Sequence, residues 1–453
     1  MKKQIVIIGG SAAGPKVAAK SRRMDKDTEI NLYTQSNYVS YSACGLPYYI
    51  GQDVKNINKL IVRTPEEFEK NNIHIHLHRH CQKIIPSEKM VIINEEKIKY
   101  DELVIATGAR AKIPNIKNVN LKNVFTLRFL EDGLLIKDIA QRSKSVLIIG
   151  FGYIGLEMLE AFLKNDLKVY IVENGNYPMS FFDEEFGEKI YQYIQEKNGK
   201  NVEIISNDIV VELKGSSHFK SAVTLNGREI SADFCLIATG VTPNIELARE
   251  CGIEIGVTGA IKTNNKMQTN IKNIWAAGDC TEKKCQITGL PIYVALGSIA
   301  NKEGRVCAIN LNGENETFDG ILCSSATKYF DYTMSLTGIT QTRAEKIKHL
   351  TGFEPISVTV NKMDKASYMP DAKPITVKLT ADKKSGKILG AQGIGLGDVD
   401  KRINIVTSAL QKHMSIWELL HLDLTYTPST SGAIDPLLTA CYELKKIIEN
   451  DKN

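Results

Sequence analysis

No stretch of this 453-residue sequence is long and apolar enough to form a helical membrane span. The best candidate, residues 146–156, is broken by Gly150, Gly152 and Gly155. Excess charge of one sign is also missing. The 57 basic residues are scattered among 52 acidic ones for a net charge of +5. The clustered basic face of a nucleic-acid partner is therefore absent, and neither nucleic acid nor a membrane is expected as partner. The nine cysteines include no Cys-x-x-Cys and no zinc spacing. They read as reduced thiols, most of them small apolar fillers. Cys280 and Cys285 have a spacing that some redox pairs use, yet nothing local activates either sulfur. Low-complexity segments and long linkers are missing too, so the parts of the chain are expected to pack together. The start Met1-Lys2-Lys3 followed by Ile5-Val6-Ile7-Ile8 has the look of a signal peptide, but Gly9-Gly10 ends the run. A buried strand and a cytoplasmic location are expected instead.

What is present is a repeat. Ile7-Ile8-Gly9-Gly10-Ser11-Ala12-Ala13-Gly14 recurs in type as Ile148-Ile149-Gly150-Phe151-Gly152-Tyr153-Ile154-Gly155. Val104-Ile105-Ala106-Thr107-Gly108 recurs as Leu236-Ile237-Ala238-Thr239-Gly240. Each glycine loop follows a β-rich apolar run and opens a segment with helical spacing, residues 12–23 and 153–163, as a strand–loop–helix nucleotide module requires. From about Ile321 the texture changes. Residues 356–360 and 375–379 alternate like half-buried strands, and residues 399–412 have helical period, which reads as a third, α+β domain.

The second loop is complete. Gly150-x-Gly152-x-x-Gly155 allows a tight turn, close approach of backbone to a pyrophosphate and close packing of helix on strand. Glu173 ends the next strand, at the distance expected of the acid that binds a ribose 2′-hydroxyl. A carboxylate there disfavours a 2′-phosphate, so NADH is favoured over NADPH. A glycine turn in an unrelated α/β unit is the competing reading. The first loop is less regular: Ser11 holds the middle glycine position, and Thr34 or Gln35 stands where an acid would end the strand. Its reading as a dinucleotide loop rests on Ile274-Trp275-Ala276-Ala277-Gly278-Asp279, a strand ending in Gly-Asp. Between the two loops lies Cys44, in Ser40-Tyr41-Ser42-Ala43-Cys44-Gly45-Leu46-Pro47-Tyr48-Tyr49-Ile50-Gly51. One thiol between two dinucleotide sites suggests a relay from nicotinamide to flavin to sulfur.

In these motifs and their order, across essentially the whole chain, the sequence resembles the FAD-dependent pyridine nucleotide-disulfide oxidoreductases. The resemblance implies two Rossmann-like dinucleotide-binding domains and a C-terminal α+β dimerisation domain. These would be an FAD domain over residues 1–115 and 245–320, an NAD(H) domain over 116–244, and a dimerisation domain over 321–453. By the same resemblance the first loop with Thr34, Gln35, Thr107, Gly108 and Asp279 binds FAD. The second loop, with Tyr153, Ile154, Glu173 and Gly240, binds NADH. The glutathione-reductase branch carries a second cysteine where this chain has Tyr49, so the chain is similar to the single-cysteine branch, and most to the coenzyme A-disulfide reductases. That likeness implies a homodimer in which Tyr368 and Tyr426 reach the active site of the opposite subunit. It also places Arg22, Arg23 and Ser40 at the substrate. Two positions depart from the pattern: Pro428-Ser429-Thr430 replaces Pro-Pro-Tyr, and Ala43 replaces the asparagine before the cysteine.

The implied chemistry is reduction of coenzyme A disulfide, or a related disulfide or persulfide, through Cys44. At a helix start and near flavin, its pKa is expected to be lowered. Tyr368 and Tyr426 would act as hydrogen-bond or proton donors, or as interface packing. The enzymatic alternative is an NADH oxidase or peroxidase that reduces oxygen or hydrogen peroxide through a Cys44 sulfenate. Its sub-branches place a histidine where this chain has Ala12. An alternative of another class is a flavin-based redox sensor or electron-transfer partner with little turnover. Separately, residues 73–80 alternate Ile/His/Leu/Arg so that on a strand four imidazoles would share one face. Metal binding and a solvated face are both open for that segment, and the solvated face is the expected one.

Overall fold

A computed structural model describes residues 2–450. The chain forms two compact units, Met1–Asn174 with Asn201–Lys284 and Pro291–Gly320, and Gly175–Lys200 with Cys285–Leu290 and Ile321–Asn453.

The first unit contains the repeat as two parallel five-stranded sheets of matching order. In one, strands Ile73–His76, Glu29–Tyr33, Gln4–Ile8, Glu102–Ile105 and Ile274–Ala276 lie side by side. In the other the order is Val202–Ile205, Lys168–Val172, Ser145–Ile149, Phe234–Ile237 and Val124–Thr126. Each also carries a three-stranded antiparallel sheet inserted before its Ala-Thr-Gly strand, Cys81–Lys99 in one case and Val210–Ser231 in the other. Ile5, Val6, Ile7, Val146, Leu147 and Ile148 are fully buried. That is why these strands read as unbroken apolar runs rather than alternating ones. The glycine loops lead into helices Ala13–Met24 and Tyr153–Leu163. Helix Gly297–Leu311 crosses the first of them at Gly304, where an added Cβ would lie 2.7 Å from the Ala13 carbonyl oxygen.

In the second unit a five-stranded antiparallel sheet has the order Ser325–Tyr329, Tyr332–Gly338, Ile388–Gly395, Pro374–Asp382, Pro355–Met363. Helices Val399–Gln411 and Pro436–Asn450 pack on it. Helix Glu184–Asn198 belongs to this unit, tied to it by the buried Asp183–Lys378 ion pair at 2.8 Å and by Gln392, whose amide bonds Asp183 at 2.6 Å. No helix among the described residues is long and apolar enough to cross a membrane.

The four-histidine face does not form. The strand stops at His76, and His78 takes a left-handed φ of 56° that turns the chain. His76 stacks on Tyr33 with ring centroids 4.3 Å apart and bonds Asn31 at 2.8 Å, while His74 pairs with Glu69 at 3.1 Å. Alternation in sequence places side chains on one face only while the backbone stays extended.

Candidate active site

The two glycine loops are built alike. Gly9 has φ 121°, and a side chain there would collide with the Ala106 carbonyl. A Cβ on Gly14 would collide with the Gly9 carbonyl. In the second loop Gly150 has φ 98° with the Ala238 carbonyl oxygen 2.8 Å from its missing Cβ, and Gly155 is pressed on the Gly150 carbonyl. The middle position differs. Gly152 has no heavy atom within 4 Å of a Cβ, so the backbone lies open to a ligand, whereas Ser11 presents an exposed side chain whose hydroxyl meets Tyr41. Ala12 to Gly14 and Tyr153 to Gly155 carry the first helical turns, whose free amides suit an anion. Gly10 backs onto Thr34, which is buried, while Gln35 is exposed. Glu173 is buried beside the second loop and accepts the Phe151 amide at 2.7 Å.

The segments that follow the two Ala-Thr-Gly motifs pair, Ala109–Ala111 running antiparallel to Val241–Pro243. Thr107 donates its hydroxyl to the Asn244 carbonyl at 2.8 Å, and Asn244 returns an amide to the Thr107 carbonyl at 2.9 Å. Gly108 and Gly240 both have positive φ with no neighbour within 4 Å of a Cβ.

Asp279 follows Gly278 at the end of strand Ile274–Ala276 and is ion-paired to Arg128. The loop is held from beneath by a fully buried pair, Lys283 and Glu303, 3.4 Å apart. Glu303 accepts the Gly278 amide at 2.7 Å and Lys283 donates to the Gly278 carbonyl at 2.6 Å, so every charge is met by a partner. Glu131 accepts the Ser36 hydroxyl and the Asn37 amide, each at 2.9 Å, while its Oε2 is buried without a hydrogen-bond partner.

Cys44 lies in the one-turn 3-10 helix Ala43–Gly45, which runs into the five-residue helix Leu46–Ile50. A Cβ on Gly45 would lie 2.4 Å from Leu60 Cδ2, so a side chain beside the thiol would have to displace the Leu60 side chain, while the backbone itself is ordinary helical. The residue is exposed, yet the protein atoms around its sulfur still withdraw it from bulk water. That withdrawal, with the Glu157 carboxylate second, pushes the thiol above its ordinary pKa; Arg128 opposes it and Asp279 adds to it. The expected lowering is not found: withdrawal from water and the Glu157 carboxylate outweigh Arg128. Replacing Glu157 by glutamine is expected to lower the Cys44 pKa. The variant should be alkylated by iodoacetamide several-fold faster than wild type near pH 8, with the rate midpoint moved to lower pH. Tyr49, five residues on, is buried with the Lys137 ammonium 3.7 Å from its ring centroid.

The residues predicted at the substrate are placed as follows. Arg22 is buried, and its guanidinium is spent on the carbonyls of Asp25, Lys26, Thr28 and Asn72, closing the end of its helix. Arg23 alone of that pair is exposed. Ser40 is buried with φ 52° and bonds the Gly10 carbonyl at 2.7 Å through its amide, placing the Cys44 segment against the first loop. Tyr368 and Tyr426 belong to the second unit and are 74% and 53% exposed, available to a partner. Arg128, Glu131, Glu157, Lys283 and Glu303 were not among the sequence-derived candidates; none lies in a motif. No group of three or more histidine, cysteine or acidic residues among the described residues is placed to hold a metal.

Residues 3–314 match the family described as pyridine nucleotide-disulphide oxidoreductase, and residues 324–437 match its dimerisation domain. The chain is 33% identical over 450 residues to a CoA-dependent NAD(P)H sulfur oxidoreductase of Pyrococcus abyssi, covering 98% of this chain and 99% of that one. It is 29% identical over 446 residues to a coenzyme A disulfide reductase of Staphylococcus haemolyticus, covering 96% and 97%. The solved structure of an NAD-dependent persulfide reductase from A. fulgidus superposes with a TM-score of 0.94 at 35% identity, over 99% of this chain and 84% of that one.

Proposed function

We propose, from the premise that this chain belongs to the pyridine nucleotide-disulphide oxidoreductase family, that it is an FAD-dependent NAD(P)H:disulfide oxidoreductase acting through Cys44. Its substrate is coenzyme A disulfide or a related disulfide or persulfide. The observation that carries the reading is one thiol, with Tyr49 in place of a second cysteine, lying within electrostatic reach of both Asp279 and Glu157. Asp279 ends the first module, and Glu157 sits on the helix of the second glycine loop.

The residues present fit both cofactors. For FAD there is a loop that excludes side chains at Gly9 and Gly14, the anchored Asp279, and the unpartnered Glu131 Oε2. Glu131 supplies a carboxylate near the strand end, where Thr34 and Gln35 bring only a hydroxyl and an amide. For the pyridine nucleotide there are the open Gly152 backbone, Gly240 and the Glu173 carboxylate. Bound flavin supplies the conversion of a hydride from nicotinamide into an electron pair delivered to sulfur.

The protein's own part is thiol chemistry. The Cys44 thiolate attacks one sulfur of the disulfide, which leaves a mixed disulfide on Cys44 and releases the first thiolate. Two electrons then break that bond, release the second thiol and restore Cys44. The balance is RSSR + NADH + H⁺ giving 2 RSH + NAD⁺. Because the Cys44 pKa is raised, its thiolate fraction grows with pH across the neutral range. Arg128, which favours the thiolate, is balanced against Glu157. In a homodimer, Tyr368 and Tyr426 of each subunit donate hydrogen bonds to the departing thiolate of the other, and Arg23 and Ser40 lie on the substrate side.

The test is NADH consumption by the FAD-loaded protein with coenzyme A disulfide, a persulfide, hydrogen peroxide and oxygen in parallel. Disulfide or persulfide turnover above the oxygen rate is expected; oxygen turnover without either contradicts the reading. For coenzyme choice, Glu173→Ala is expected to reduce the preference for NADH over NADPH by about 10- to 100-fold, since one charged hydrogen bond is worth about 1.5–3 kcal/mol. An unchanged ratio of kcat/KM values would show that Glu173 does not read the ribose.

A further inference from the structure

Arg402, on helix Val399–Gln411 of the second unit, is fully buried and belongs to no site described above. A cation without exposure is rare unless its charge is met by partners on several sides. Its Nε donates to Asp435 Oδ2 at 3.0 Å, and Nη2 lies 3.0 Å from the same oxygen. Nη1 donates to the Asp398 carbonyl at 2.9 Å, and Nη2 donates also to the Asp364 carbonyl. Asp398 caps the arginine's own helix. Asp364 and Asp435 come from elsewhere, 38 positions before Arg402 and 33 after it.

Each of these two aspartates closes a segment that carries one of the exposed tyrosines. Asp364 is buried just past strand Pro355–Met363; its amide donates to the Lys373 carbonyl at 2.9 Å and its Oδ1 accepts the Lys373 amide at 2.8 Å. Tyr368 stands on the loop so closed. Residues 421–435 run from helix Ile416–Leu420 to helix Pro436–Asn450 without helix or strand of their own, and Tyr426 stands on them. Asp435 ends that segment, buried, with its Oδ1 accepting the Leu437 amide at 2.9 Å. The two segments also touch directly, through the Ala366 amide on the Pro428 carbonyl at 3.3 Å. Lys401, next to Arg402, donates to the Thr430 carbonyl at 3.1 Å.

We propose that Arg402 is the positioning residue for Tyr368 and Tyr426, locking their two segments to each other so that both hydroxyls serve one point. The role rests on the reading of these tyrosines as donors to the departing thiolate of the other subunit. A guanidinium is a rigid fork whose donors leave in fixed directions, so two acceptors held by it are fixed relative to one another; an ammonium sets no such angle. Groups that meet a reacting atom have to be held to within about 0.5 Å, and a long segment without regular structure does not supply that alone.

The experiment follows hydrogen exchange by mass spectrometry in the full-length FAD-loaded protein and two variants. Arg402→Met combined with Asp435→Asn removes both charges together and leaves no lone buried ion. Arg402→Lys keeps a cation opposite Asp435 without the fork, and serves where the double variant does not fold. In both, peptides covering 364–373 and 421–435 are expected to exchange about tenfold faster than in wild type, while strands Pro374–Asp382 and Ile388–Gly395 keep their rates. An arginine with a merely structural part would loosen the sheet as well. Disulfide turnover is expected to fall about tenfold with flavin bleaching by NADH unchanged. Tyr368→Phe with Tyr426→Phe should cost about tenfold in the wild-type background and less than about twofold in the Arg402 variants. Wild-type exchange at both segments in the variants would overturn the proposal, and so would full additivity of the arginine and tyrosine losses. Loosened segments together with undiminished turnover by the two-phenylalanine protein would overturn the reading of the tyrosines as donors, and with it this role.

Discussion

Cys44→Ser is expected to lower NADH-dependent reduction of coenzyme A disulfide by about 10³-fold or more while leaving flavin content and its bleaching by NADH unchanged. The size of the effect follows from the absence of a substitute. Tyr49 holds the second-cysteine position of two-cysteine relatives, and its ring is buried under Lys137. The other cysteines that burial raises are poor nucleophiles at neutral pH. A serine hydroxyl keeps the shape of the 3-10 turn at Ala43–Gly45 but cannot exchange with a disulfide. Loss of flavin binding in the same variant would mean that the residue's part is structural, and anaerobic spectra of the purified protein distinguish the two.

Gly9→Val is expected to yield protein without flavin and destabilised by about 3–5 kcal/mol. Two effects act together: φ of 121° is strained for any L side chain, and the new Cβ would run into the Ala106 carbonyl at the end of the neighbouring strand. Backbone there cannot move aside without parting strands Gln4–Ile8 and Glu102–Ile105. Gly259→Ala is the control. Its φ is 83°, but nothing lies within 4 Å of the new Cβ, so a cost of about 1 kcal/mol with full flavin content is expected. Flavin-to-protein absorbance ratios and thermal melts of the two variants read this directly.

The glycine loops, the repeated Ala-Thr-Gly strands and the solitary Cys44 were legible in the sequence because each is a local demand on backbone or chemistry. Gly9, Gly14, Gly150 and Gly155 each abut a carbonyl, and no other residue type fits there. The repeat, read from two short motifs, extends in the structure to sheet order and to the inserted antiparallel sheets. What the sequence hid is what the fold brings from a distance. Arg128 reaches Asp279 across 151 positions, and Glu131 meets Ser36 across 95. Arg22 and Arg23 look alike in sequence, yet the carbonyls at a helix end consume one of them. The histidine alternation failed on one backbone angle at His78. The Cys44 pKa failed on a contest of magnitudes, Arg128 against burial and the Glu157 carboxylate, that spacing alone does not decide.

Electrons from NADH are expected to end on the Cys44 sulfur, and counting them decides whether they do. The FAD-loaded protein is incubated with coenzyme A disulfide, freed of excess, and titrated anaerobically with NADH while released thiol is measured. Wild type is expected to take up about two NADH per flavin, one for flavin and one for the mixed disulfide, with release of about one thiol; Cys44→Ser should take up about one and release none. Equal uptake by the two proteins, or thiol release from the serine variant, would contradict it.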